Sequence, residues 1–250
     1  MLFRFVFASA TMIILGIIKK IRLPKMRELP KLLGGGFVGI FLYMWFINTA
    51  MVTVESGITS FIIASSPVFT IILSRILLGE KMKLICWAGV LVSFCGLVVI
   101  MLSGTSTFSF SLGVLLVLFA AIATSFYNII QRNLFKTFTA LEVTTYCVLA
   151  ATLFMLIYLP DLIRELPGSG LTQNLSVAYL GIFPAAIAYF TWSYALSKAE
   201  KTTHVTVFLY LMPFITSVLA YFWRGETLTI WSLFGGVVII GGMIMANMKR

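Results

Sequence analysis

Four hydroxyl side chains, Thr59, Ser66, Thr70 and Ser74, recur at steps of seven, four and four. That spacing puts them on one face of a helix. Thr206, Tyr210, Pro213, Ser217 and Tyr221 repeat the device further along the chain. Such stripes inside apolar runs turn from hydrocarbon toward other helices or a cavity. They either close on their own i−4 carbonyls and let helices approach, or offer hydrogen bonds to a solute. Tyr43, Trp45, Asn48, Asn128, Tyr189, Trp192 and Tyr194 could extend a cavity for a small amphipathic solute, although interfacial belts and packing use the same aromatic residues. Reaction chemistry has no comparable set. There is one histidine, His204, read as interfacial, and the acids sit at loops. No paired carboxylates, HExxH or Ser/His/Asp arrangement is present. The chain does not read as an enzyme. Cys86, Cys95 and Cys147 lie in apolar runs outside any CxxC or Cys/His cluster and read as small buried residues. No metal site or cofactor is expected.

Two prolines stand inside these stripes. "PVFTIILSRILLGE" runs from Pro67 to Glu80, and "PFITSVLAYFWRGE" from Pro213 to Glu226. Each proline lacks an N–H and clashes with the carbonyl four residues back, Ile63 or Leu209, so each kinks a helix and frees a carbonyl that needs a partner. The kinks read equally as hinges of a pathway or as fixed packing features. Ser66, Pro67, Thr70, Tyr43, Asn48, Asn128, Tyr189, Trp192, Tyr210, Pro213 and Ser217 are the candidate pathway residues. Glu80 and Glu226 each precede a new helix, where a negative charge suits the N-terminus. No acid or base falls securely at mid-span, so no carboxylate is offered for proton coupling.

The elements that must hold these residues follow from composition. The chain is 60% hydrophobic and 10% charged, with mean hydropathy +1.06, whereas soluble domains carry about 25% charged residues. Nine apolar runs are long enough to span a bilayer: 2–18, 32–51, 56–78, 84–102, 110–130, 141–159, 174–196, 204–223 and 229–247. The fold class expected is an all-α polytopic membrane protein. The first run ends on Lys19-Lys20 without a cleavage site and reads as a retained span. The net charge of +10 is not a nucleic-acid signal, because it alternates between loops. Fifteen Lys and Arg fall on one set of loops, and only Arg4, Arg164 and Arg224 on the other. By the positive-inside rule the C-terminus is cytoplasmic and the N-terminus, as the chain stands, outside. The partners expected are the lipid bilayer and a small-molecule solute. A homodimer is compatible with the sequence but not indicated by it.

The two phrases overlay at an offset of 146 residues. Pro67/Pro213, Thr70/Thr216, Leu73/Leu219, Gly79/Gly225, Glu80/Glu226, Gly89/Gly235, Val92/Val238 and Gly96/Gly242 are identical. Five crossings separate equivalent points, and an odd number turns the second copy upside down. This is an inverted repeat, a transporter design that lets a midplane site face either side. The repeats are 1–103, with four helices, and 110–248, with five. The partner of span 110–130 would fall before Met1, so the first repeat reads as truncated from five helices. Either the true start lies upstream or this is a nine-helix variant.

The pattern resembles the EamA-type transporters of the drug/metabolite transporter superfamily. The residues carrying the resemblance are Arg4-Phe5, Ala50, "SSPVFTIILSRILLGE" with Gly89 and Gly96, "YNIIQR" at 127–132, and "SYALSKAE" through "PFITSVLAYFWRGE" with Gly235 and Gly242. It implies two five-helix repeats, a bacterial inner-membrane location, a central cavity, and export of amino acids, related metabolites or drugs. The chain departs from that pattern at its start, which keeps an inactive or scaffold-like remnant as the alternative to a secondary transporter.

Overall fold

Backbone in hydrocarbon must satisfy its own hydrogen bonds, so long apolar runs become helices. The computed structural model describes residues 1–102, 111–224 and 230–248, and nine helical runs account for most of them. They are α1 (Leu2–Ile18), α2 (Leu29–Ala50), α3 (Ser56–Leu77), α4 (Leu84–Leu102), α5 (Leu112–Leu134), α6 (Ala140–Gly168), α7 (Leu171–Lys198), α8 (Thr202 to Arg224) and α9 (Ile230–Asn247). Eight are apolar over lengths that cross a bilayer, and α1 is shorter at 17 residues. The chain is an all-α, multi-pass membrane protein. Part of the expected 160–173 connection is helical: Leu159–Glu165 carries α6 onward, with Pro160 in the first turn, where a missing N–H is harmless. Cys86 and Cys147 are buried as expected, but Cys95 is exposed.

Two pairs of helices, α3 with α8 and α2 with α7, are distorted at positions about 146 residues apart. In α3 the helix stops at Ala64 and restarts at Ser66, with Pro67 in the first turn of the new segment. In α8 a 3-10 stretch, Val207–Tyr210, precedes the segment Leu211–Arg224 that holds Pro213. The carbonyls expected to be freed are not left open. Backbone N–H groups at the two breaks reach Ile63 and Leu209, so tightened turns absorb what the prolines cannot donate. The other pair of distortions was not anticipated. Residues Phe37–Leu42 of α2 and Phe183–Ile187 of α7 are π-helical, and the two stretches begin 146 residues apart. Each inserts one residue and so rotates everything beyond it by about 100°.

By internal contacts the chain forms two compact units, each drawing helices from both halves of the sequence. One comprises Met1–Met44 with Ile130–Lys198, the other Trp45–Ile129 with Ala199–Arg250. In the second unit α4 and α9 pack on each other so closely that only glycine fits. A Cβ on Gly89 would strike Gly242 and Ala246, and one on Gly235 would strike Gly96 and Ile100. A Cβ on Gly96 would strike Gly235 and Ile239, and one on Gly242 would strike Gly89 and Ser93. Subtracting 146 from one member of each pair gives the other pair. The helices are therefore antiparallel and related by a local two-fold axis. Ser93 Oγ donates to the Ile239 carbonyl at 3.2 Å, and these positions are themselves 146 apart. The axis passes between them.

The first unit is built on the same rule. A Cβ on Gly36 of α2 would meet the Cys147 carbonyl, the Ala150 Cβ and the Ala151 nitrogen of α6. One on Gly181 of α7 would meet the Arg4 carbonyl, the Phe7 Cβ and the Ala8 nitrogen of α1. The pattern is identical atom for atom, but α1 and α6 correspond at an offset of 143, three fewer than the expected 146. Ser9 and Thr152, 143 apart, share a hydrogen bond at 2.8 Å on the axis. Close approach does not explain every glycine: a Cβ on Gly34 or Gly241 would meet nothing within 4 Å.

Candidate solute pathway

In the second unit the expected stripe of α3 faces inward. Thr59, Ser66, Thr70 and Ser74 are all buried, and Ser66, Thr70 and Ser74 are wholly so. Ser74 closes on the Ile71 carbonyl at 3.0 Å. The hydroxyls of Thr59, Ser66 and Thr70 have no partner. A buried polar group left unpaired costs about 1–3 kcal/mol, so three in a row on one broken helix mark a place built for more than packing. Ser125 of α5 faces the same stretch and donates to the Ser66 carbonyl at 3.0 Å. Asn128, one turn further along α5, is buried. Tyr210 lies in the apolar cluster of Ile71, Val90, Leu97 and Ile239, with its hydroxyl unpartnered. Asn48 is exposed near the end of α2.

Pro213 and Ser217 line a cavity of about 310 Å³ together with Ser56, Ser60, Leu97 and Thr216. Ser217 closes on the Pro213 carbonyl at 2.9 Å. Applying the 146-residue offset to this wall gives the contact between the second segment of α3 and the start of α8. There Ser66, Thr70, Thr202, Thr203 and Thr206 are all fully buried. Their equivalents Met212, Thr216, Ser56, Gly57 and Ser60 are all exposed. One contact is shut and its copy is open.

The shut contact has a latch. Glu80 was expected to serve the N-terminus of α4. Its carboxylate also reaches the start of α8, accepting the Thr202 N–H at 3.2 Å and the Thr202 hydroxyl at 2.9 Å. Lys201 Nζ donates to the Lys81 carbonyl at 2.8 Å beside it. Gly79 makes the turn possible, with φ of +68° where a side chain would be strained. Cys86, Lys83, Glu200, Lys201 and His204 surround a second cavity, of about 340 Å³, at this same end of the unit. Gly225 and Glu226 lie outside the described residues.

In the first unit the structure assembles residues that the spacing of polar stripes did not predict. Arg4 is not peripheral. Its guanidinium donates to Met44 Sδ at 3.5 Å and lies within electrostatic range of Tyr43 and Tyr189. Tyr43 and Tyr189 interact with each other and are 146 residues apart. They stand just past the two π turns, which aim them. Arg4 stands in the first turn of α1, with its carbonyl against Gly181 of α7. Its Nε is buried without a partner, and no carboxylate pairs with it among the described residues. Trp192 is half-buried one turn beyond Tyr189. Ser193 hydrogen-bonds Gln131 at 3.1 Å, leaving Gln131 Nε2 buried and unpaired. Arg132 donates to the Leu196 carbonyl at 3.0 Å, so the "QR" of "YNIIQR" ties α5 to α7.

Inverted helix pairs, broken helices and unpaired polar groups held at depth are the construction of a membrane transporter rather than an enzyme. A model of the EamA-like transporter family matches residues 1–102 and 111–248. The chain belongs to that family. It is 31% identical over 249 residues to "Uncharacterized transporter YdfC" of Bacillus subtilis, covering 99% of this chain and 81% of the relative. It is 32% identical over 229 residues to the "Probable terminal-alkyne amino-acid exporter" of Streptantibioticus cattleyicolor, covering 92% and 76%. A solved crystal structure shares the fold with a TM-score of 0.82 at 20% identity, covering all of this chain and 88% of the other.

Proposed function

We propose that this membrane transporter is a secondary exporter of amino acids or related small amphipathic solutes, working by alternating access between its inverted repeats. The observation that carries the reading is the broken symmetry of α3 and α8: one inter-repeat contact is buried and latched, while its copy is an open cavity. Exchanging the two would expose the unpaired hydroxyls of α3 to the opposite side. The amino-acid exporter among the relatives supports the substrate class and direction. The alternation of basic loops supports a bacterial inner-membrane protein with a cytoplasmic C-terminus and, as the chain stands, an external N-terminus. Domain by domain, 1–103 and 110–248 act as the two inverted repeats.

The test is efflux from proteoliposomes loaded with labelled amino acids, beside cysteine accessibility at Ser60→Cys and Thr203→Cys. The expected result is saturable efflux of at least one amino acid, with Ser60→Cys labelled and Thr203→Cys protected at rest. During turnover Thr203→Cys should gain reactivity as Ser60→Cys loses it. Efflux no faster than from empty-vesicle controls for every amino acid and amphipathic amine offered would reject the transport reading for this substrate class.

A further inference from the structure

We infer that Arg4, flanked by Tyr43 and Tyr189, binds the carboxylate of the transported solute. The inference rests on the transport reading above and adds the group that selects the substrate. Arg4 projects from the first turn of α1 to Met44, whose thioether is a weak acceptor, and lies 5.4 Å from the centre of the Phe5 ring, with no carboxylate paired to it among the described residues. Its Nε–H is buried and unused. Arginine cannot escape by losing its proton, so the charge must be met by an anion. The planar fork of N–H groups matches a carboxylate through two parallel hydrogen bonds.

Position argues for solute rather than structure. Tyr43 and Tyr189 are 146 residues apart, each just past a π turn, and lie within electrostatic range of the guanidinium. Arg4, Tyr43 and Tyr189 are all only partly buried. Tyrosine hydroxyls can donate to the same carboxylate, and the ring faces can take the neighbouring ammonium of an amino acid. The π turns that precede both tyrosines are costly local distortions of the kind found at functional sites. A lipid phosphate or free inorganic anion would use the same donors, so the test separates them from a solute carboxylate.

The purified full chain in detergent is titrated with L-leucine, L-propargylglycine, leucinamide, inorganic phosphate and chloride, and ligand-dependent thermal stabilisation is read. Saturable stabilisation by the two amino acids, absent with leucinamide, is expected. Arg4→Gln should weaken amino-acid binding about ten- to hundredfold, the usual weight of hydrogen bonds to a charged group, and Arg4→Lys should recover part of it. Equal affinity for leucine and leucinamide, no saturable response to either amino acid, or unchanged binding in Arg4→Gln would overturn the inference. Phosphate saturating as tightly as the amino acids would also overturn it, assigning the site to lipid headgroups or inorganic anions. If Arg4→Gln does not fold, the leucine and leucinamide comparison on the native chain decides alone. Undiminished efflux of leucine by Arg4→Gln would leave transport standing while removing Arg4 from it.

Discussion

Adjacent glycines in α9 give opposite expectations for the same change. At Gly242 an added Cβ would sit 2.5 Å from the Gly89 carbonyl oxygen and 2.5 Å from the Ser93 nitrogen, and would also strike Ser93 Oγ. Ordinary carbon contacts begin near 3.4 Å, so α4 and α9 would have to part by about 1 Å at that point in an otherwise close-packed interface. Two of the three obstructing atoms are backbone, and no rotamer change relieves them. Overpacking of this kind costs about 1–3 kcal/mol, and a backbone clash belongs at the upper end. Replacing glycine by alanine returns about 1 kcal/mol of helix propensity. Gly242→Ala should therefore lose about 2 kcal/mol net. At Gly241 nothing lies within 4 Å, so Gly241→Ala keeps the propensity gain of up to about 1 kcal/mol. The two variants should differ by about 3 kcal/mol, on the order of a hundredfold in the unfolding equilibrium. Titration with sodium dodecyl sulfate from mixed micelles, followed by circular dichroism, measures the difference. Gly96→Ala, the repeat equivalent of Gly242→Ala, should match it. Equal stabilities of Gly241→Ala and Gly242→Ala would refute the account of the α4–α9 contact.

Further expectations concern the latch, the axis, a kink and a loop. Glu80→Gln removes a charged acceptor from the start of α8, worth about 1–2 kcal/mol for a cap. Labelling of Thr203→Cys should rise severalfold in that background, and unchanged labelling would mean the latch holds nothing shut. A double-mutant cycle with Ser9→Ala and Thr152→Val should return a coupling near the ~0.6 kcal/mol average for hydrogen bonds between membrane helices; independent effects would place the axis elsewhere. Pro67→Ala should keep insertion and thermal stability while slowing efflux, because the break at Ser65 is closed by backbone bonds and the helix can straighten; unchanged efflux would make the kink a packing feature. Outside the spans, hydrogen bonds from Arg22 and then from the Lys25 N–H hold the Glu28 carboxyl below its ordinary value of 4.5. A lowered folded-state pKa gives stability that is complete above pH 4.5 and lost as pH falls through the lower value. Glu28→Gln should flatten that acid limb of the stability profile, and an unchanged limb would show the pair to be idle.

The architecture was readable because membrane helices write themselves as long apolar runs and the repeat is carried by proline, glycine and glutamate. What escaped was whatever depends on how backbones meet. Gly34 and Gly36 look alike in sequence, yet only Gly36 faces the α6 backbone. Glu80 was recognised as a helix-terminus acid, but its bond to the distant start of α8 needs the fold. Arg4 was read only as part of a motif near the start of the chain, and its bond to Met44 needs the fold. Applying the 146-residue offset to Tyr43 reaches Tyr189. The three-residue change of register between α1 and α6 obscured the matching signal at Ser9 and Thr152. Gln131 and Arg132 were quoted as part of a motif, but their tie to α7 needs the fold.

The symmetric and the broken contacts divide the second unit into parts with different mechanical duties. If the two end states of a transport cycle are related by the repeat's own two-fold axis, any contact that obeys the axis maps onto itself and survives the exchange unchanged. The α4–α9 crossing is such a contact, from Gly89 against Gly242 to Gly96 against Gly235, with Ser93 on the axis. It can be packed as tightly as glycine permits without opposing the motion. The contacts of α3 with α8 do not obey the axis, and only these must be remade. That is where the helix breaks lie, where Glu80 holds one side shut, and where the unpaired hydroxyls sit. The barrier to switching is then set by a few capping bonds and one short helix contact, not by the core. The consequence is testable in one comparison. Substitutions at the α4–α9 crossing should shift unfolding and leave the balance of Ser60→Cys and Thr203→Cys labelling alone, whereas Glu80→Gln should shift that balance. The opposite pattern would mean that the crossing, rather than the latch, is the moving part.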